Sequence, residues 1–269
     1  MTGRLARLAV LPRAILAPVI LAPAILAPVI LAPAILVRAM LAGAVLSGAC
    51  LAARADIVDA RYSEPTARYS HAVLGDALEW GALVLRLADG RRMTFRLPDA
   101  MVFEDLVPRL ADLDGDGDAE VVVVETFLDR GARLAVWDET GRIAATDPIG
   151  ARHRWLAPVG TADLDGDGRA EIAYVETPHR TGTLRVVRLY GTRLTGIASL
   201  PGLSNHRIGD AFIQGGIADC SGGPVIVTAD IGWSRVIATR LTNGRLTPRD
   251  RGPYRGPASL SPARACAPG

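Results

Sequence analysis

The sequence predicts an all-β fold, and three observations carry that expectation. Short apolar segments rich in β-branched residues recur along the chain, among them "GALVLRL", "EVVVVET", "RLAVWDE", "EIAYVET", "LRVVRLY" and "PVIVTAD". Many close on a glycine turn such as "ADG", "ETG", "YGT" or "TNG", as hairpins require. No long segment shows the apolar period of an amphipathic helix.

The hairpins repeat as a larger unit. "VLRLADGRRMTFRLP", "LAVWDETGRIAATDP", "LRVVRLYGTRLTGIASLPG" and "RVIATRLTNGRLTPRDRGP" share one grammar. Each is an apolar strand, a turn closing on Gly or Gly-Thr, an arginine, a second strand and a proline. Another apolar strand precedes each unit, and before that comes an aspartate loop in varying repair. Four units in about 200 residues give a period near fifty, and β-propeller blades of four strands run ~40–50 residues. The expected architecture is a small β-propeller of about four blades. A compact four-bladed ring is the first choice, and an incomplete propeller that closes by self-association is the second.

Residues 1–55 stand apart from this pattern. Arg4, Arg7 and Arg13 precede a long apolar tract in which "AILAPVILAP" occurs twice in tandem, and no acidic residue appears before Asp56. A positive start, an apolar stretch and a small-residue exit at "ARA" read as an export signal cleaved near Ala55. An uncleaved leader would instead be an inner-membrane anchor, although Pro18, Pro23, Pro28 and Pro33 interrupt its helical hydrogen bonding. A start codon placed upstream of a shorter signal is the third reading. Cys50 does not sit in the spacing of a lipoprotein site.

Without the leader the charge changes sign. The chain holds 30 basic and 28 acidic residues, and five of the arginines lie in the leader, so residues 56–269 carry 25 against 28, a net −3. That excludes the basic surface expected of a nucleic-acid binder. Of three cysteines, Cys50 leaves with the leader, and Cys220 and Cys266 remain as one pair, read as a disulfide tying the C-terminal tail to the body. The localisation expected is periplasmic or secreted.

Two segments carry chemistry. "ADLDGDGDAEVVVVET" and "ADLDGDGRAEIAYVET" place Asp112, Asp114, Asp116 and Glu120, then Asp163, Asp165, Asp167 and Glu171, at matching positions of a nine-residue loop. Alternate carboxylates around a tight turn converge on one centre, and Gly117 and Gly168 permit the turn. Hard oxygen donors in this number suit calcium. Position seven is Asp118 in one loop and Arg169 in the other, so the donor there should be the backbone carbonyl. An EF-hand is excluded, because position twelve is Val123 or Tyr174 where it needs Glu, and strand follows where it needs helix.

These loops resemble the calcium loops of FG-GAP, or VCBS-type, repeats, which build the propellers of integrin alpha subunits and of many exported bacterial proteins. The resemblance implies that the loop joins two strands of a blade. It also implies two calcium sites: Asp112, Asp114, Asp116, Asp118 and Glu120 in one, and Asp163, Asp165, Asp167, Arg169 (by its carbonyl) and Glu171 in the other. Propellers of that family commonly have seven blades, for which this chain is too short. The loop in "ADCSGGPVIVTAD" keeps only Asp219, and the unit "LGDALEWGALVLRL" keeps only Asp76 and Glu79, so neither is expected to bind calcium.

His71, His153, His179 and His206 are the only histidines; the first, second and fourth each approach an acidic loop or its remnant. Packing between blades is the expected role for them, as for Trp80, Trp137, Trp155 and Trp233. No nucleophile elbow, phosphate loop or zinc helix is present. The expected function is a non-enzymatic, calcium-binding interaction module for a protein or glycan partner. It would meet a membrane only if the leader is retained. The alternative is an exported hydrolase or lyase acting on polysaccharide or phosphate esters at the central face. Histidines converging with an arginine would favour that alternative.

Overall fold

The computed structural model describes residues 56–75 and 78–267. The leader, its cleavage point, Cys50 and Asp76 lie outside the described residues. The strands follow the sequence units. β1 (Ile57–Thr66), β2 (Glu79–Leu87) and β3 (Arg92–Arg96) form an antiparallel trio with β2 in the middle. After the short β4 (Met101–Phe103) comes a four-stranded meander of β5 (Arg109–Ala111), β6 (Glu120–Phe127), β7 (Gly131–Asp138) and β8 (Gly141–Ala145). A third sheet repeats it with β9 (Leu156–Ala162), β10 (Glu171–Glu176), β11 (Thr183–Tyr190) and β12 (Arg193–Pro201). The short β13 (Leu203–Ser204) leads to the fourth sheet: β14 (Gly216–Cys220), β15 (Gly223–Asp230), β16 (Arg235–Thr242) and β17 (Arg245–Pro253). A 3-10 turn, Pro257–Leu260, and the single-turn helix α1, Ser261–Arg264, follow.

The sheets stack face to face, which explains the unbroken apolar runs. In "EVVVVET" alternate side chains point to opposite faces of β6. Val121 and Val123 join Leu83, Leu85, Phe103 and Trp137 in a core toward the first sheet. Val122 and Val124 join Ile172, Tyr174, Val187 and Leu189 in a core toward the third. A strand buried on both faces loses the polar alternation of a half-exposed one. Ala173, Val175, Leu184 and Val186 in turn meet Ile226 and Leu241 of the fourth sheet.

The far face of the fourth sheet corrects the ring expectation. Val225, Val227, Val236 and Ala238 pack there against Tyr254, Leu260 and Ala263, so the C-terminal segment stands where a ring would place the first sheet. The first sheet could not take that place: Arg92, Thr94 and Arg96 leave its outward β3 positions polar and exposed. Among the described residues the sheets therefore form an open, capped arc, and no core joins the fourth sheet to the first. β4 also fuses the first two sheets into one hydrogen-bonded array, by pairing Phe103 with Trp80 of β2 and with Glu125 of β6.

Cys220 and Cys266 are bonded, with Cα atoms 5.5 Å apart. The expected tie between tail and body is present, and it holds α1 against the end of β14. Such a bond fits an oxidising compartment. No helix among the described residues is long and apolar enough to cross a membrane.

Candidate functional site

In an antiparallel meander the first-to-second loop and the third-to-fourth turn share one end of the sheet. The second-to-third turn and the onward connection share the other. Both acidic loops are first-to-second connections, β5–β6 and β9–β10. All four histidines fall at the opposite end: His71 between β1 and β2, His153 between β8 and β9, His179 between β10 and β11, and His206 just after β13.

In the first loop Asp112, Asp114 and Glu120 each bring a carboxylate oxygen within 4.8 Å of the others. Asp112 shapes the turn by accepting the N–H groups of Gly115 (2.7 Å) and Gly117 (3.2 Å). Gly117 has φ +93°, a conformation other residues rarely adopt. Asp116 stands outside that trio and accepts the Asp118 N–H at 2.9 Å. Glu120 is buried at the head of β6 and accepts the Leu113 N–H at 2.8 Å. Burial pushes its carboxyl up to about 7, the Leu113 N–H pulls it back, and the charges of Asp114, Asp116 and Asp112 add to the rise. The Ala119 N–H is held by Asp56 at 2.9 Å, a contact across the chain that local spacing does not reveal.

The second loop has the same frame and a different content. Asp163, Asp165 and Glu171 form the matching trio. Asp163 accepts the N–H groups of Gly166 (2.8 Å), Asp167 (3.0 Å) and Gly168 (2.9 Å). Arg169 donates its N–H to Asp167 at 3.0 Å, while its guanidinium lies 6.0 Å from the Tyr190 ring. Into this trio reaches Arg188 from β11. It donates to Asp167 at 2.6 Å, to both oxygens of Asp165 at 3.1 and 3.0 Å, and to Glu171 at 2.5 Å. The corresponding position in the second sheet is Asp138, one step beyond the Val121–Trp137 pair. Its carboxylate accepts from Thr140 and Gly141. At that ladder position one sheet thus carries a guanidinium and the other a carboxylate.

The residues present fit a divalent cation best in the first loop. Three hard oxygen donors converge there, and their mutual repulsion is what a cation removes. In the second loop Asp165, Asp167 and Glu171 already share the charge of Arg188. In the fourth sheet the equivalent loop is a two-residue turn, since Cys220 pairs with Gly223.

The histidines, for which packing between blades was the expected role, converge at one end of the sheets. His71 and His153 stack with ring centroids 4.9 Å apart. His179 and His206 are hydrogen-bonded at 2.8 Å. The indole of Trp155 lies beside both, stacked on His179 at 6.1 Å and edge-on to His206 at 5.0 Å. Glu104, fully buried after β4, lies 2.5 Å from His71 Nδ1 and accepts the Thr126 hydroxyl at 2.7 Å. Burial raises the Glu104 carboxyl, while His71 and Thr126 favour its ionised form. Burial, with smaller contributions from His206 and His71, lowers His179 to about 4. His71, His153, His179 and Trp155 border a cleft of about 370 Å³ whose wall includes Arg154 and Arg180, with Glu104 and His206 behind His71 and His179. Sequence spacing carried no sign of Glu104 or of His179 joining the others, since each arrives on a different connection.

Residues 112–174, which span both acidic loops, match the model of the FG-GAP-like repeat. No curated protein matches the chain. Among solved structures, the exotype rhamnogalacturonan lyase YesX is 17% identical over 62% of this chain and 34% of its own, with a TM-score of 0.37. Rhamnogalacturonan lyase YesW is 14% identical over 75% and 39%, with a TM-score of 0.37. The Bacillus licheniformis rhamnogalacturonan lyase PL11 is 17% identical over 70% and 44%, with a TM-score of 0.39. The chain spans less than half the length of each.

Proposed function

We propose, from the FG-GAP-like repeat at residues 112–174 as premise, that this protein is an exported calcium-binding β-repeat module. Its loops would be presented to a protein or glycan partner. The observation that supports it is the trio Asp112, Asp114 and Glu120, whose oxygens converge without an internal cation. Calcium there would staple β5 to β6, a structural task. A weaker second ion, held also by Asp163, would compete with Arg188 for Asp165 and Glu171.

Calorimetry and melting curves with calcium, magnesium and chelator test this reading. Saturating calcium, a hundredfold above Kd, should add ~2.7 kcal/mol, or roughly 5–11 °C for a domain of this size. Magnesium should substitute poorly, because it demands tighter octahedral geometry. Asp112→Ala should remove the stronger site and Asp163→Ala the weaker. Absence of calcium binding, with melting indifferent to chelator, would leave the loops as solvated turns.

A second reading, an exported hydrolase or lyase, is favoured by one observation: the convergence of His71, His153 and His179, the last backed by His206, with arginines on one cleft.

A further inference from the structure

We infer that the histidine cleft is a binding site for a hydroxyl-bearing oxyanion, the chemistry shared by an acidic saccharide and a sugar phosphate. The cleft lies at the end of the sheets opposite the acidic loops, so it does not depend on a metal there.

The hydrogen-bond pattern fixes which nitrogens are open. His206 Nε2 lies 2.9 Å from the Asp210 carbonyl oxygen, which can only accept, so Nε2 carries the proton. His206 Nδ1 is then the acceptor for His179 Nε2, its partner at 2.8 Å. A neutral His179 that donates through Nε2 keeps a lone pair on Nδ1. Burial favours that neutral form in both rings. His71 commits Nδ1 to the buried Glu104 carboxylate, and Nε2 has no hydrogen-bond partner among the described residues. His179 Nδ1 is thereby left as an acceptor, and His71 Nε2, on a separate loop, as a second open nitrogen beside the same cleft.

The wall supplies the complement. Arg154 and Arg180 border the cleft, and among the described residues no carboxylate lines it. A ligand hydroxyl would donate to His179 Nδ1, His71 Nε2 would meet a ligand oxygen, and guanidinium groups take an oxyanion through paired N–H donors. A resident metal is a poorer occupant. Among the described residues the groups of three donors close enough to share an ion are those of the two acidic loops. Packing alone is also a poor account, since a buried carboxylate–imidazole pair is commonly no more stabilising than apolar side chains of the same volume. Glu104 is a positioning residue in this scheme: it orients His71 and fixes its tautomer.

This deepens the enzymatic reading by giving it a substrate class, yet binding can be measured without turnover. Calorimetry should compare a uronic-acid oligosaccharide, a sugar phosphate and a neutral oligosaccharide, each in calcium and in chelator. At least one anionic compound should bind, with the neutral one at least tenfold weaker, and which anion binds distinguishes carboxylate from phosphate. His71→Gln and His179→Gln should each weaken that binding at least tenfold. Should either variant melt early, histidine ¹⁵N spectra of the unaltered protein replace it: His71 Nε2 and His179 Nδ1 should shift on addition of the anion. Glu104→Gln should change the His71 tautomer signal, which a merely structural role would leave alone. Neutral and anionic saccharides binding equally, or neither anion moving those nitrogens, would overturn the assignment. Binding that persists in chelator separates the site from the acidic loops, and binding without turnover sinks the enzymatic reading alone.

Discussion

Arg188 stands directly across the β10–β11 ladder from Glu171, and its guanidinium is the counter-charge of the second acidic loop. Two loops of near-identical sequence thus have unequal needs. The residue that decides between them lies 17 positions beyond Glu171, outside the repeated motif.

Replacing that arginine should convert the second loop into the first. Arg188→Gln leaves Glu171, Asp165 and Asp167 uncompensated, and removing one partner of a buried pair costs ~3–5 kcal/mol. Thermal melting in chelator should fall by roughly 6–20 °C, at ~2–4 °C per kcal/mol. Calcium should restore much of the loss and should bind the second site more tightly than in the unaltered protein. Unchanged melting in chelator would mean that the guanidinium is not holding the loop.

Reduction of the disulfide should release the C-terminal cap. The bond closes a loop of sequence separation 46, for which the expected contribution is ~2–4 kcal/mol. Melting should drop by several degrees, and a dye that reports exposed apolar surface should brighten as Val225, Val227 and Val236 lose their cover. Under denaturing, non-reducing conditions neither Cys220 nor Cys266 should react with a thiol reagent.

Acid should weaken the histidine end. The ordinary pKa of 6.5 is lowered to about 4 in folded His179. Between those values the unfolded chain binds more protons than the native one. The stabilisation is therefore complete above pH 6.5 and is lost as pH falls toward 4. Chemical denaturation at pH 7.5 and pH 5 should differ by up to ~2 kcal/mol from this group. His179→Gln should show a correspondingly smaller difference, and an equal difference in the variant would refute the assignment.

The β10–β11 turn that presents His179 tolerates only glycine at 182. Gly182 has φ +57°, and a Cβ there would strike the Leu203 carbonyl oxygen and the Ile231 side chain. Gly182→Ala should cost ~3 kcal/mol. Gly191 has nearly the same φ, +56°, but open space around it, so Gly191→Ala should show only the left-handed strain of ~1–2 kcal/mol. Equal destabilisation of the two would remove the steric argument.

Strands, hairpin turns, acidic loops and the cysteine pair were legible because each is written in local spacing. The hairpin grammar located β2–β3, β7–β8, β11–β12 and β16–β17, and "DLDGDG" located both loop frames. The short β4 and β13 were not legible: three and two residues are too few to show a period. Nor was the opening of the ring, which depends on Leu260 and Ala263 covering a face that a first sheet would otherwise take. Glu104, Arg188 and Asp56 act at distances of 33, 17 and 63 residues along the chain from His71, Glu171 and Ala119. Local pattern has no access to pairings of that kind.

The cap on the fourth sheet has a consequence for growth of the array. Stacked repeats are a one-dimensional crystal: each new sheet buries the last and exposes an identical apolar face. Here Leu260, Ala263 and Tyr254 turn the final face into a finished surface, and Arg92 and Arg96 do the same at the other end with charge. Among the described residues the stack thus shows a greasy plug on one outer face and a polar edge on the other. Unlatching the Cys220–Cys266 bond would loosen that plug and offer the bare face of the fourth sheet to whatever apolar surface is nearest.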